Sequence, residues 1–249
     1  MPGNYSLRQP KIYNAKEEKA KINWRVILLS ILIFILLCGL IYLIYFSPFF
    51  KIKSIEILGT APAQVEEKLS SFKNKNIFLV ETKSAEDMLI KDHSEYLSVQ
   101  IYKGIPDALR VKFKEREPQI IWSNENKMYY LDQDGVAFEE AKNLDFYPVI
   151  KDNQNLEVTI PSKIATNKFI GFVKQVDDKF KEGKFENVTF EINDTIFQIT
   201  ATVDKIKVIF DTLRPLSDQY DAFRTVYDKH KSEISEYVDV RVEGWVYYK

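Results

Sequence analysis

LSVQIYKGIPDALRVKFKEREP, Leu97 to Pro118, alternates apolar and polar residues on either side of a turn at Gly104-Ile105-Pro106. In its second half Leu109, Val111 and Phe113 share one face and Arg110, Lys112 and Lys114 the other, the period-2 signature of a half-buried β-hairpin. Glu117-Pro118 closes the pattern, because proline cannot donate to a central ladder. The hairpin divides the chain: mixed helix and strand come before it, and short strands in quick succession come after.

Working back from the hairpin, Lys83 to Lys91 reads as a helix presenting Met88 and Leu89, and NIFLVE, Asn76 to Glu81, as a short apolar connector. Pro62 opens another helix whose Val65, Leu69 and Phe72 recur at i, i+4 and i+7, ending over Asn74 to Asn76. KIKSIEILG, Lys51 to Gly59, reads as a first strand. The order is strand, helix, helix, hairpin.

Just before that strand lies Val26 to Phe46, 21 residues without a charge, which as a helix measures roughly 32 Å, about one hydrocarbon core. Tyr42, Tyr45, Phe46, Phe49 and Phe50 crowd its exit where a cleaved signal peptide would carry small residues, so it reads as an uncleaved anchor with an interfacial aromatic belt. Arg8, Lys11, Lys16, Lys19, Lys21 and Arg25 precede it, against Lys51 and Lys53 on the near flank beyond it. This bias expects residues 1–25 to be a cytoplasmic basic tail and the rest to be exported.

Forward from the hairpin, IIWSNENKMYYL gives two strands around Asn124 to Asn126, and DQDG turns into VAF. FYPVI is extended, and Lys151 to Asn155 reads as surface loop. Phe169, Ile170, Val173, Val176 and Phe180 form a helical stripe. ENVTFEI, TIFQITAT and KIKVIF are three strands with tight turns at Asn193-Asp194 and Val203-Asp204. Pro215 opens a last helix whose Leu216, Tyr220, Phe223, Tyr227 and His230 share a face. YVDVRVEGWVYYK then reads as one strand, with Val238, Val240, Val242, Val246 and Tyr248 on its core parity and Asp239, Arg241, Glu243, Trp245 and Tyr247 on the other.

Over the 249 residues, 35 basic and 36 acidic side chains leave a net charge of -1, which argues against a nucleic-acid partner. Cys38, inside the apolar run, is the only cysteine, which excludes intrachain disulfides and thiolate zinc clusters. His93 and His230 each fall at a predicted helix C-terminus, where a cation is favoured, and neither belongs to a metal-binding pair. Asp132, Asp134 and Gly135 resemble part of a calcium loop but lack its further oxygen ligands, and Asp-Gly between apolar strands is a hairpin turn. Glu66-Glu67, Glu86-Asp87, Glu139-Glu140 and Asp177-Asp178 sit on exposed faces or loops without an enclosing apolar pocket. No catalytic, cofactor-binding or metal-ligating residue is assigned, and no small-molecule substrate is expected.

Taken in order behind a single anchor, KIKSIEILG, NIFLVE, IYKGIPDALRVKFKEREP, YYLDQDGVAF, FYPVI and YVDVR resemble the bacterial FtsQ/DivIB cell-division family. The resemblance implies an α+β protein: a transmembrane helix over residues 26–46, a POTRA domain over 51–118, and a mostly antiparallel β domain with two helices over 119–249. It implies a non-enzymatic scaffold at the division septum that binds FtsB/DivIC-like and FtsL-like bitopic proteins, and through them the septal peptidoglycan synthase. Strand addition is expected along Tyr237, Val238, Asp239, Val240, Arg241, Val242, Glu243, Gly244, Trp245, Val246, Tyr247 and Tyr248, with Trp245 and Tyr247 as anchors. Arg110, Lys112 and Lys114 form a second candidate docking face for an acidic partner. Two departures stand out: IFDTLRP lacks the glycine many members carry before the last helix, and EINDTIFQI lacks the basic residue some use toward a partner. The rival reading, a POTRA-bearing secretion component, calls for repeated POTRA units or a long amphipathic barrel segment, and the sequence contains neither.

The topology is tested with engineered cysteines, Cys38 being shielded by lipid. A membrane-impermeant maleimide applied to spheroplasts is expected to label a cysteine at position 126 and not one at position 14; the opposite pattern reverses the orientation.

Overall fold

The computed structural model describes residues 23–59, 61–125 and 127–249. All but the last three residues of the expected basic tail lie outside the described residues. Helix α1 runs Trp24–Phe46, two residues longer than its apolar run, because the Asn23 side chain accepts from the Arg25 amide at 3.2 Å and caps it. None of its residues is buried. It is long and apolar enough to cross a membrane.

The last turn of a helix leaves carbonyls without partners. Here the side chain of Asn76, itself 8% exposed, donates to the Ile44 and Tyr45 carbonyls at 2.7 and 3.0 Å. Backbone bonds lace the same segment to the chain just beyond the helix: Ile52 N–H to the Lys75 carbonyl at 3.0 Å, Ile77 N–H to Phe50 at 2.9 Å, Asn74 N–H to Ile52 at 2.9 Å. The apolar connector therefore docks the end of α1 onto the first sheet.

That sheet contains β1 (Ser54–Leu58), β2 (Tyr96–Gly104) and β3 (Ala108–Glu115) in the order β1-β3-β2, with β1 parallel and β2 antiparallel to β3. Helices α2 (Ala63–Ser70) and α3 (Thr82–Asp92) cover one face, inserting Val65, Leu69, Ala85 and Leu89 over Val99, Ile101, Leu109, Val111 and Phe113. Met88 was expected to face inward and instead is 53% exposed. Ala85 and Leu89, four apart, define the buried stripe of α3, and Met88 lies about 100° around the helix from Leu89.

A second buried cluster belongs to a ten-stranded sheet. Its strands are β4 (Ile120–Ser123), β5 (Met128–Leu131), β6 (Val136–Glu140), β7 (Val149–Asp152), β8 (Ser162–Lys163), β9 (Thr189–Ile192), β10 (Gln198–Val203), β11 (Ile206–Asp211), β12 (Tyr237–Asp239) and β13 (Tyr247–Tyr248), ordered β13-β12-β11-β10-β9-β7-β4-β5-β6-β8. Neighbours are antiparallel except β4–β7, β7–β9 and β11–β12. The fold is α+β with a mostly antiparallel second sheet, as expected. Helix α4 (Asn167–Glu182), capped by the Thr166 hydroxyl on the Phe169 amide, buries the predicted stripe together with Phe172. Helix α5 (Leu216–His230) buries Leu216, Phe223 and Tyr227, and Phe180 meets Tyr220 and Phe223 edge-on at 5.7 and 5.5 Å where the two helices pack.

Local differences have local causes. Asp204 and Lys205 both adopt positive φ, 50° and 70°, the two-residue turn whose twist suits a hairpin. The β9–β10 link runs over residues 193–197, longer than a tight turn at Asn193-Asp194. Lys151 and Asp152 belong to β7 rather than a loop, and buried Asp152 turns the chain by accepting from the Gln154 and Leu156 amides.

The two sheets meet at Arg116. Its guanidinium pairs with the Asp132 carboxylate, with side-chain exposures of 13% and 3%, and donates to the Ser94 carbonyl at 3.1 Å, while Ser94 Oγ donates to Phe138 O at 2.8 Å. The other Asp132 oxygen accepts from the Asp134 and Val136 amides, so this carboxylate organises a turn and an ion pair, not a calcium site. Gly135 (φ 76°) completes that turn; a Cβ there would sit 2.3 Å from the Ala165 carbonyl. Removing one member of a buried pair strands the other, so Arg116→Ala is expected to lower the unfolding free energy by about 3–5 kcal/mol in urea titrations, whereas Lys112→Ala changes it by no more than about 0.5 kcal/mol.

Candidate functional site

YVDVRVEGWVYYK is not one strand. β12 holds three residues, paired parallel to β11 through Lys207↔Tyr237, Val208↔Val238 and Ile209↔Asp239. The chain then leaves the sheet, turns at Gly244 and returns antiparallel as β13, pairing Val238↔Tyr248 and Asp239↔Tyr247. Gly244 has φ 73° at the third position of a turn closed by Trp245 N–H to Val242 O at 3.1 Å, a conformation that favours glycine. Glu243-Gly244 inside an alternating run was the available signal. The outer edge of β12, expected to be open, is thus covered by the chain's own final residues: Lys249 O accepts from the Ser235 and Glu236 amides at 2.9 and 2.7 Å, and Lys249 N–H donates to Tyr237 O.

The face assignments change accordingly. Val238 and Val240 are buried and Val246 packs against the core, but Val242, at the turn, is 49% exposed rather than inward. On the returning arm the parity holds for Val246, half-buried against the core, and for Trp245 and Tyr247, which point outward at 67% and 52% exposure. Tyr248, expected on the core parity, is instead exposed, its ring stacked 5.5 Å from that of His230 at the surface. Arg241, Glu243 and Gly244 are exposed, and Tyr237 and Asp239 are half-buried.

Two residues missed in the sequence hold this end of the sheet. Arg214 donates through Nη1 to the Val240 and Arg241 carbonyls at 3.2 and 2.7 Å. Gln219, 1% exposed, accepts from the Asp211 amide and donates to the Asp211, Arg214 and Pro215 carbonyls, so the glycine-free loop before α5 is tied down by a side chain. Arg241 clasps Asp239 at 2.6 Å and reaches the Gln198 side chain. Phe197 and Leu213, 55% and 70% exposed, flank this network, the Thr212 amide donating to Phe197 O.

The other candidate face is different. Arg110, Lys112 and Lys114 lie exposed on β3, the central strand of the first sheet, so they offer a surface and not an edge. Arg110 is paired with Glu56 at 2.9 Å, leaving a weaker positive field than the sequence implied. The histidines are engaged as well: His93 Nδ1 lies 3.0 Å from Glu95, and His230 Nδ1 lies 3.1 Å from Glu233. Among the described residues no cluster of three or more His, Cys, Asp or Glu side chains has the arrangement to hold a metal.

Residues 120–241 match the family model described as cell division protein FtsQ/DivIB, C-terminal. Among curated proteins, the chain is 27% identical to cell division protein DivIB of Bacillus cytotoxicus over 80% of its own length and 69% of the relative's. It is 31% identical to DivIB of Clostridium botulinum over 52% and 50%, and 29% identical to FtsQ of Streptomyces bingchenggensis over 40% and 39%. The chain thus spans about half or less of the length of the last two.

Burial pushes the Asp239 carboxyl up, and the side-chain and backbone hydrogen bonds of Arg241 overcome this and hold it below the ordinary carboxylate range. A folded pKa below the unfolded one gives stability that is full above the unfolded value, about 3.9, and is lost as pH falls through the folded value. Thermal unfolding of the purified protein is therefore expected to show an advantage of wild type over Asp239→Asn at pH 6 that shrinks in this acid window; a constant gap excludes the pair as its source.

Proposed function

The chain belongs to the FtsQ/DivIB family of cell-division proteins, and from that premise we propose that it is a single-pass, non-enzymatic scaffold of the division complex whose C-terminal hairpin receives a partner strand. The observation that carries this reading is the edge itself. β13 ends the ten-stranded sheet, and its outward side chains are large amphipathic aromatics. An exposed strand edge recruits an extended segment through main-chain hydrogen bonds, with alternate side chains supplying selectivity. Because the chain's own return arm lies on β12, the incoming strand extends the sheet from β13 rather than pairing with β12.

On this reading the partners are FtsB/DivIC-like and FtsL-like bitopic proteins, acting beyond the cytoplasmic membrane with the N-terminus inside, and the septal peptidoglycan synthase is reached through them. The basic face at Lys112 and Lys114 serves as a secondary contact. Its reach is modest, since Glu56 already engages Arg110.

The anchors test the proposal. Trp245 and Tyr247 touch little of their own domain, so Trp245→Ala with Tyr247→Ala is expected to leave the melting temperature unchanged. The same double variant is expected to weaken capture of an FtsB/DivIC-like partner by at least about thirtyfold, the equivalent of roughly 2 kcal/mol. Unchanged affinity in the folded double variant removes the hairpin from the interface. Gly244→Pro is unsuited to this purpose, because proline cannot take the positive φ of that turn.

A further inference from the structure

The attachment of α1 to the first sheet places a particular surface at the membrane. Asn76 holds the last-turn carbonyls of α1, Ile77 is bonded to Phe50, and the Phe50 and Phe78 rings meet edge-on at 5.2 Å. With α1 in a bilayer, the residues beside Asn76 lie at the level where the helix leaves hydrocarbon. There the chain exposes Phe49 at 59%, Phe78 at 40% and Leu79 at 60%, an apolar patch left uncovered among the described residues. Lys51 and Lys75 are exposed close by, and neither forms an ion pair among the described residues. Aromatic and aliphatic side chains ringed by lysine suit the headgroup layer, where rings sit among the glycerol groups and ammonium groups meet phosphate.

We propose that Phe49, Phe78 and Leu79, with Lys51 and Lys75, form a lipid-contact surface that seats the first sheet in the headgroup layer of an anionic membrane. The inference rests on the reading of Trp24–Phe46 as a span. It goes beyond that reading, since a span alone permits the exported part to tumble free of the bilayer. Asn76 is the positioning residue: by closing the end of the helix it removes the slack that would let the patch lift away.

The test uses the full chain with Cys38→Ala, reconstituted into phosphatidylcholine vesicles with and without a minority of phosphatidylglycerol. Single nitroxides are attached at Leu79→Cys or, as reference, Lys114→Cys. β3 starts at Ala108 beside Lys53 and ends toward Arg116, so position 114 lies about 20 Å farther along the strand from the membrane end. Power saturation is expected to show the Leu79 label several-fold better shielded from a water-soluble nickel chelate, and richer in oxygen, than the reference. The shielding is expected to fall without phosphatidylglycerol, on Lys51→Glu with Lys75→Glu, and on Asn76→Ala while α1 stays inserted. A Leu79 label as open to nickel as the reference overturns the proposal and leaves the patch to a protein partner. Full shielding in phosphatidylcholine alone overturns the assignment to anionic lipid. Failure of the chain to float with vesicles overturns the span reading and this inference with it.

Discussion

Where the two sheets meet, a guanidinium and a carboxylate are held almost out of water, and neither is tolerable there without the other. Arg116 also binds the Ser94 carbonyl and Asp132 two backbone amides, so the pair is embedded in hydrogen bonds that offset its desolvation. A pair of this kind contributes less net stability than its mutual attraction alone implies, because both charges lose their hydration. Its larger effect is to admit one arrangement, because any slippage between the units leaves an unpaired charge with little access to water. The turn it organises presses Gly135 against the start of α4, so the orientation of the first sheet, the β5–β6 hairpin and the principal helix of the second core are set together.

Much of this was legible in the sequence because the signals were periodic. The hairpin around Gly104-Ile105-Pro106, the stripe of α4 and the Asp-Gly turn all obey spacing rules in which the buried partner is the sheet or helix beside them. What escaped were contacts made by single polar side chains across long sequence separations. Asn76 reaches 32 residues back to α1, Gln219 fastens a loop by its backbone, and Arg214 spans 26 residues to Val240. No local pattern marks an asparagine or glutamine that will be buried, since its partners are main-chain atoms whose position exists only in the folded state. Met88 was misplaced for the opposite reason: two adjacent apolar residues on a short helix leave the phase of the stripe undetermined.

The terminal segment combines both cases. Its alternation was real as far as Val246, which it correctly separates from Trp245 and Tyr247, but it failed at Tyr248, which stays exposed because a two-residue edge strand has nothing packed over it. Read as one strand, however, the same alternation hid the reversal at Gly244, because a tight turn flanked by strand-forming residues preserves the period on either side. Register along a sheet is a long-range property, and only the pairing of Val238 with Tyr248 reveals which way the chain runs.

That short pairing has a consequence for how the edge of the sheet moves. Two residue pairs join β13 to β12, against six between β11 and β10. Cooperative opening of a sheet begins where the fewest bonds must break together, so amide protons along this domain should exchange with solvent in a gradient, fastest at the hairpin and slowest near the α4-covered centre. Because the Arg214 bonds to the Val240 and Arg241 carbonyls precede this pairing in the chain, opening of the last strand breaks none of them and leaves fixed the point from which it departs.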